Sequence, residues 1–197
     1  MKKYSDWEET QAYDGESVSI QPGAYICRVV GMREEKTRTG RDMVVLAFDI
    51  AEGEYENYYK KRFEKEKESN DKAKFKGSYR VLPLTKDGKT NPFYKGLITA
   101  IEKSNNLILQ NEFGENELKG KLFGGLFGRE EYEQGKWYTK LVSIRTVEAI
   151  REGRYILPED KPLNNNSNNS NSSAHGFSID NDADDEDLPF WCFGGDC

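Results

Sequence analysis

Histidine is almost absent from this chain of 197 residues, and the only one is His175. A catalytic triad built on histidine and a histidine-rich metal site are therefore excluded. The three cysteines, Cys27, Cys192 and Cys197, argue against a disulfide framework or a structural zinc site, and they favour a reducing compartment. No phosphate-binding loop of the form G-x-x-x-x-G-K-[ST] occurs either. These absences argue against an enzyme, and no cofactor or metal is expected.

Long apolar runs are also lacking. The longest, residues 43–48, is far too short to span a bilayer, and the mean hydropathy is −0.87. The first residues include two lysines, but no apolar stretch of the kind found in signal peptides follows them. Together with the sparse cysteines, this pattern predicts a soluble cytoplasmic protein with no membrane partner.

Positive charge is missing from the C-terminal end, because no lysine or arginine follows Lys161. Residues 163–197 hold seven of the 35 acidic residues, which leaves 28 acids against all 29 bases in residues 1–162. The body is thus close to neutral, and the net charge of −6 comes from the C-terminal end. Such an asymmetry is typical of a chain with an interaction tail.

The C-terminal end combines a polar tether with an acidic tip. An Asn/Ser tract over residues 164–173 precedes an acidic run that begins at Asp180 and continues into Leu-Pro-Phe. This composition predicts a flexible linker over residues 161–179 and a protein-interaction tail over residues 180–197. A solubilising acidic terminus is the alternative, although it would not need the apolar residues. The residues expected to bind a partner are Asp184, Asp185, Glu186, Asp187, Leu188, Pro189 and Phe190.

The body, residues 21–160, is predicted to be one β-rich domain behind an N-terminal extension, residues 1–20. Asn91 and Pro92 begin the clearest helix, which ends near residue 104. A charged stretch after residue 63 is either a short helix or a loop. The segments rich in β-branched and aromatic residues are predicted to be extended: 24–33, 43–50, 55–63, 79–84, 118–132 and 137–147.

The predicted order is three strands, a helix and two strands. This is the order of an OB-fold, a five-stranded Greek-key barrel with one helix between strands 3 and 4. The glycines of residues 118–132 fit a bent or bulged strand. We therefore expect a mainly β protein with an OB-fold-like closed barrel and a disordered C-terminal tail. A different small β-barrel with one helix is the alternative.

Basic residues form four clusters in the body, and three of these clusters also contain aromatic residues. An OB barrel binds single strands with cations that follow the phosphates and aromatic rings that stack on bases. Core packing and loop solvation are the alternative roles, and Trp137 and residues 58–63 are the best individual candidates. Acids at 130–133 are predicted to form a solvated turn rather than a Mg²⁺ site. The predicted nucleic-acid-binding residues are Lys36, Arg38, Arg41, Tyr58, Tyr59, Lys60, Lys61, Arg62, Phe63, Lys74, Lys76, Tyr79, Arg80, Lys136, Trp137, Tyr138 and Lys140.

Three segments of the body resemble a phage protein family: Pro22-Gly23-x-Tyr25, MVVLAFDIAEGEY at 43–55, and LFGREEY…VEAIREG at 126–153. Through these segments the chain resembles the OB-fold single-stranded DNA-binding proteins of bacteriophages and prophages. That family is often catalogued only as a domain of unknown function. The resemblance covers most of residues 20–160. Residues 184–190 are similar to the acidic tip of bacterial and phage single-stranded DNA-binding proteins. Pro-Phe ends those chains, whereas residues 191–197 follow it here.

The resemblance implies a non-enzymatic protein that coats single-stranded DNA in phage replication, recombination and repair inside a bacterial host. Its acidic tail would recruit replication and recombination proteins, and a homo-oligomer is possible. One alternative is a β-barrel adaptor that binds proteins without contacting DNA. Another is a small metal-dependent nuclease built on Asp/Glu clusters. DNA and RNA are not separated by the sequence, because stacking surfaces accept the bases of either.

Overall fold

The computed structural model describes residues 19–163 together with Ser5 and Trp7. The predicted tail and all but the start of the linker lie outside these residues, as does most of the N-terminal extension. No helix in the described part of the chain is long and apolar enough to cross a membrane. The elements are β1 (Gly23–Lys36), β2 (Asp42–Ile50), α1 (Tyr58–Ser69), β3 (Ser78–Val81), α2 (Pro92–Asn105), α3 (Glu115–Leu118), β4 (Leu122–Glu133), β5 (Lys136–Arg145) and α4 (Val147–Arg151).

The five strands form one antiparallel sheet in the order β3-β2-β1-β4-β5. Strand β1 joins the two halves, because residues 23–28 pair with β4 and residues 27–36 pair with β2. A register shift between Val29 and Gly31 lies just after this changeover. The mainly β fold is confirmed. The predicted closed barrel is not, because no ladder joins β3 to β5 within the described residues and the sheet stays open.

The main hydrophobic core lies on one face of the sheet. Alternate residues of β2, such as Leu46 and Phe48, point into it, as their period of two requires. Helix α2 covers this face with Leu97 and Ile101, both fully buried. The intervening residues of β2, Val45 among them, are buried too, because β2 is a central strand covered on both faces.

Helix α2 begins and ends as the sequence predicts. The Asn91 side chain accepts a hydrogen bond from the backbone N–H of Phe93 at 3.0 Å, and Pro92 occupies the first helical position. At the other end, the Asn105 amide donates to the Leu122 carbonyl at 2.8 Å and accepts from the Leu122 N–H at 3.0 Å. One side chain therefore fixes the start of β4 against the end of α2.

The predicted strand over residues 55–63 is wrong, because helix α1 begins at Tyr58. The carboxylate of Asp49, at the end of β2, is 5% exposed and accepts hydrogen bonds from the N–H groups of Tyr59 and Lys60, each at 2.9 Å. It also accepts from the N–H of Ile50 at 2.8 Å. A strand residue thus satisfies the unpaired donors at the helix start, a tertiary contact that local sequence preference does not reveal.

The glycine-rich strand β4 carries the predicted irregularity, a register shift between Leu126 and Phe127. Gly124 has a further role, because a Cβ there would lie 2.4 Å from a side-chain carbon of Ile150 in α4. The strand therefore lacks a side chain where the helix packs onto it.

Three predicted strand boundaries are corrected by neighbouring turns and helices. Residue 118 belongs to α3, so β4 begins only at Leu122. Strand β5 ends at Arg145, because the Thr146 hydroxyl accepts a hydrogen bond from Ala149 N and caps α4. The segment 79–84 forms β3 only over Ser78–Val81.

Replacing Asp49 with alanine should lower the free energy of unfolding by roughly 1–3 kcal/mol, because the first donors of α1 become buried without a partner. Urea unfolding followed by circular dichroism measures the change. The matched control is Asp42→Ala, which removes an exposed carboxylate from the start of the same strand and should cost less than about 1 kcal/mol. Equal effects of the two variants would contradict the capping role.

Candidate nucleic-acid interface

The hairpin of β4 and β5 extends past the rest of the sheet. The pairing of β4 with β1 ends at Phe127, while its pairing with β5 continues to Glu133. Gly135, with a φ of 77°, lies in the tight turn between the strands. We call residues 128–140 the hairpin tip. It carries one complete predicted cluster: Lys136, Trp137, Tyr138 and Lys140.

One face of the hairpin tip presents an arginine and a tryptophan together. Arg129 lies opposite Thr139, and Trp137 lies opposite Glu131, so all four residues share that face. The Arg129 guanidinium is 5.5 Å from the centre of the Trp137 ring, within the range of a cation–π contact. The ring stays 38% exposed. Arg129 was not among the predicted site residues, although counting back from the turn would have placed it near Trp137.

The other face of the hairpin tip presents two tyrosines. The rings of Tyr132 and Tyr138 meet edge to face, with centroids 5.9 Å apart, and they are 58% and 40% exposed. The Lys140 ammonium lies 5.5 Å from the Tyr138 ring centre. The hairpin tip therefore offers an exposed aromatic ring beside a cation on each face.

A half-buried carboxylate, Glu130, organises the charges of the tyrosine face. It pairs with Lys140, with Lys161 at 3.0 Å, and accepts a hydrogen bond from the Tyr138 hydroxyl at 2.9 Å. Partial burial would raise its pKa, but the hydrogen bonds and charges of these three partners outweigh burial and lower the pKa to about 2. Lys140 is therefore held by a carboxylate in the free protein.

The last described residues, 158–163, run along the free edge of β4, and we call them the strap. The Lys161 N–H donates to the Arg129 carbonyl and the Glu131 N–H donates to the Lys161 carbonyl, both at 2.9 Å. A Cβ on Gly128 would lie only 3.0 Å from Pro158, so the strap approaches closely at that glycine. The strap thus extends the sheet by one short parallel bridge.

Side chains of β4 hold the strap as well. Arg129 pairs with Asp160, with its Nε 3.0 Å from Oδ1, and the pairing raises the pKa of Arg129 and lowers that of Asp160. The Glu131 carboxylate accepts from the N–H groups of Gly135 at 2.6 Å and Leu163 at 3.0 Å, which lowers the pKa of Glu131. Of the acids predicted to form a solvated turn, Glu130 and Glu131 instead fasten the strap.

The second predicted cluster lies on α1 and the segment after it. Residues 58–76 contain eight bases and four acids. The exposed Lys60, Lys61 and Arg62 lie in the first turns of the helix. Glu66 pairs with both Arg62 and Lys76 at 2.9 Å, which lowers the pKa of Glu66 although partial burial opposes the shift. The segment keeps an excess of positive charge despite these pairs, and Lys74 is exposed beside it.

The aromatic residues of this cluster are less available than its cations. Tyr59 is 7% exposed and packs in the core against Phe48, and burial raises its pKa. Its ring is therefore not positioned to stack on a base. Tyr58 is half-buried, and Phe63 packs against Phe75 with ring centroids 6.0 Å apart.

The connection between β1 and β2, residues 36–41, is called the first loop. It lies at the end of β1 that is farther from the hairpin tip. Lys36 pairs with Asp42, the Arg41 guanidinium donates to the Leu84 carbonyl at 3.3 Å, and Arg38 is exposed. Arg41 therefore links the first loop to the chain that follows β3. The loop's three predicted cations, Lys36, Arg38 and Arg41, lie within a few residues of one another.

The two predicted residues of β3 point to opposite faces. Tyr79 lies opposite Leu46 and packs against the core, and burial raises its pKa. Arg80 lies opposite Val45 on the other face, and Arg33 of β1 lies opposite the same valine. A row of Arg33, Val45 and Arg80 thus crosses three strands. Arg33 was not among the predicted residues, because the apolar pattern of a strand does not reveal which residues lie opposite it on the neighbouring strands.

No protein-family model matches this chain, and no curated protein matches it. The predicted cations lie at four places: the hairpin tip, α1 with the segment after it, the first loop, and β3, which carries Arg80. The predicted partner-binding residues 184–190 lie outside the described part. Exposed aromatic rings beside cations occur at the hairpin tip, which is the place best suited to hold an unpaired base.

Replacing Glu130 with glutamine should lower the free energy of unfolding at neutral pH by about 1–3 kcal/mol, because Lys140 and Lys161 lose their shared carboxylate. The folded-state pKa is lowered to about 2. The stabilisation is therefore complete above the unfolded pKa of about 4.3 and is lost as the pH falls toward the folded value. Urea unfolding at several pH values measures this. As the pH falls from about 4.3 toward about 2, the variant should lose less free energy of unfolding than the unchanged protein.

The control is Glu159→Gln, which removes an exposed carboxylate from the strap. It should leave the pH dependence of unfolding as in the unchanged protein. If Glu130→Gln also left the pH dependence of the free energy of unfolding unchanged, Glu130 would not stabilise the fold.

Proposed function

We propose that this protein binds single-stranded DNA without sequence preference, and that it coats such strands in phage or prophage replication, recombination and repair. The observation that supports this most is the hairpin tip. Trp137 lies beside Arg129 on one face, and Tyr132 and Tyr138 lie beside Lys140 on the other. Stacking on exposed rings is worth roughly 1–3 kcal/mol per base and accepts any base, while neighbouring cations attract the phosphates.

The strand order supports an OB-fold as the finer description of the sheet. We propose that β3-β2-β1-β4-β5 is the OB order opened between β3 and β5, with β1 shared by the two halves and α2 between β3 and β4. In that fold the β1–β2 and β4–β5 loops border the face that binds oligonucleotides. Here those loops carry Arg38 and Arg41 at one end and the hairpin tip at the other.

The charge arrangement implies a strong dependence on salt. Several candidate cations are paired with carboxylates in the free protein, as Lys140 is with Glu130 and Arg62 with Glu66. Where such a cation neutralises a phosphate instead, the strand releases the counterions condensed on that phosphate, so affinity should fall steeply as salt rises. Segment 58–76, with its excess of bases, would add contacts that do not depend on base identity.

The acidic tail is proposed to recruit partner proteins. Residues 184–190 combine four acids with Leu188, Pro189 and Phe190, a pattern suited to a basic surface with a small apolar pocket. Under this proposal, DNA contact and partner contact belong to different segments of the chain, and the protein needs no catalytic group.

A protein-binding adaptor without DNA contact is the second candidate. Exposed aromatic rings are enriched in protein interfaces. At the hairpin tip, the pairs Arg129–Asp160, Lys140–Glu130 and Lys136–Glu133 neutralise the local charge. A neutral aromatic surface fits a protein partner as well as a nucleic acid, and a binding assay separates the two.

We expect the full chain to bind labelled oligo-dT in fluorescence anisotropy, with affinity at about 50 mM salt far above that at about 300 mM. Trp137→Ala should weaken this binding about tenfold, the cost of one lost stack. The control is Phe93→Ala, which removes an exposed aromatic ring of α2, away from the hairpin tip, and should leave the affinity unchanged.

The competing functions give different results in the same assay. Matched duplex should bind much more weakly than oligo-dT, and oligo-rU measures any preference between DNA and RNA. Absence of binding at either salt concentration would favour the adaptor. Cleavage of the strand that requires Mg²⁺ and stops with a chelator would indicate a nuclease.

A further inference from the structure

Arg129 takes part in two contacts at once. Its guanidinium lies over the exposed ring of Trp137, and the same group pairs with both oxygens of the Asp160 carboxylate. A guanidinium that binds two oxygens of a carboxylate has the geometry with which arginine binds phosphate. The Asp160 oxygens therefore occupy the positions that two phosphate oxygens would take on Arg129.

The contact between Arg129 and Asp160 is open to exchange. Their side chains are 46% and 40% exposed, and an exposed ion pair of this kind contributes little to stability. The Trp137 residue beside this ion pair is 38% exposed, so a base and a phosphate can both approach from solvent. A base on the ring and a phosphate on Arg129 are then adjacent, as they are in one nucleotide.

We propose that Arg129 and Trp137 form a one-nucleotide subsite in which a DNA phosphate replaces the Asp160 carboxylate on Arg129 while the base stacks on Trp137. The inference rests on the proposed function and adds a phosphate contact and an internal competitor to it. Asp160 lowers the affinity for DNA because every strand that binds here must first displace it.

The strap keeps this competitor in place. The backbone bonds of Lys161 with Arg129 and Glu131 do not involve the Asp160 side chain, and neither does the ion pair of Lys161 with Glu130. Asp160 therefore stays beside Arg129 after it is displaced, at a high effective concentration. The exchange moves one side chain and leaves the hairpin tip intact.

The test compares two charge removals on the strap of the full chain. Asp160→Asn should tighten binding of oligo-dT about three- to tenfold at low salt, because phosphate no longer competes with a carboxylate for Arg129. Glu159→Gln removes the same charge one residue earlier and should change the affinity less than about twofold, since an exposed charge without the pairing geometry is screened. Circular dichroism confirms that both variants are folded.

A second variant tests whether phosphate and the Asp160 carboxylate compete for Arg129. Arg129→Gln should weaken binding and reduce the slope of log affinity against log salt by about 0.7, the value for one phosphate contact on a single strand. Adding Asp160→Asn to Arg129→Gln should then have no further effect, because the group for which phosphate and carboxylate compete is gone.

Each outcome separates this inference from the function on which it rests. If the unchanged chain binds oligo-dT but Asp160→Asn behaves like Glu159→Gln, the subsite is wrong and the proposed function stands. The subsite is also wrong if Asp160→Asn still tightens binding after Arg129 is replaced. If the unchanged chain does not bind oligo-dT at all, the proposed function and the subsite fail together.

Discussion

Strand β1 supplies backbone hydrogen bonds to both halves of the sheet, and the arrangement of the other elements depends on this. Its first residues pair with β4 and its last residues with β2, so the strand has to change partners near Cys27. The register shift between Val29 and Gly31 accommodates that change. The same strand separates two of the candidate binding regions, because the hairpin tip lies at its start and the first loop at its end. A strand half as long could pair with only one of β2 and β4, and the other would have no hydrogen-bonding partner on that side.

A second constraint acts through buried and partly buried polar groups at the junctions between elements. Asp49 ties the end of β2 to the start of α1, and Asn105 ties the end of α2 to the start of β4. Asn91, also buried, ties the start of α2 to the chain after β3, because its N–H donates to the Pro83 carbonyl at 2.8 Å. Each tie satisfies backbone groups that would otherwise be buried without a partner. The orientation of the helices on the sheet is therefore set by a few specific hydrogen bonds as well as by apolar packing.

The parts of the fold that local signals determine were predicted well. Residues 43–50 are apolar and β-branched, and they form β2; Asn91 and Pro92 are a cap and a first helical residue, and they begin α2. The strand predicted over 55–63 failed because its aromatic residues suit a strand locally, whereas Asp49, ten residues before Tyr59, accepts hydrogen bonds from the first N–H groups of a helix there. For the candidate site, residue type selected Trp137, whose ring is partly exposed and lies beside Arg129 in the structure. Residue type was not enough to identify Tyr59 as a core residue or to include Arg129, because burial and cross-strand register depend on the whole sheet.

The side chains of the hairpin tip are already held in place in the free protein. Glu130 fixes Lys140 and the Tyr138 hydroxyl, and Asp160 and the Trp137 ring hold Arg129 between them. Side chains that move freely lose conformational entropy when a ligand immobilises them, and that loss weakens binding. Here much of this loss has occurred on folding. A ligand that meets the hairpin tip therefore finds a pre-organised surface, so its affinity depends on the contacts that it exchanges rather than on the ordering that it imposes.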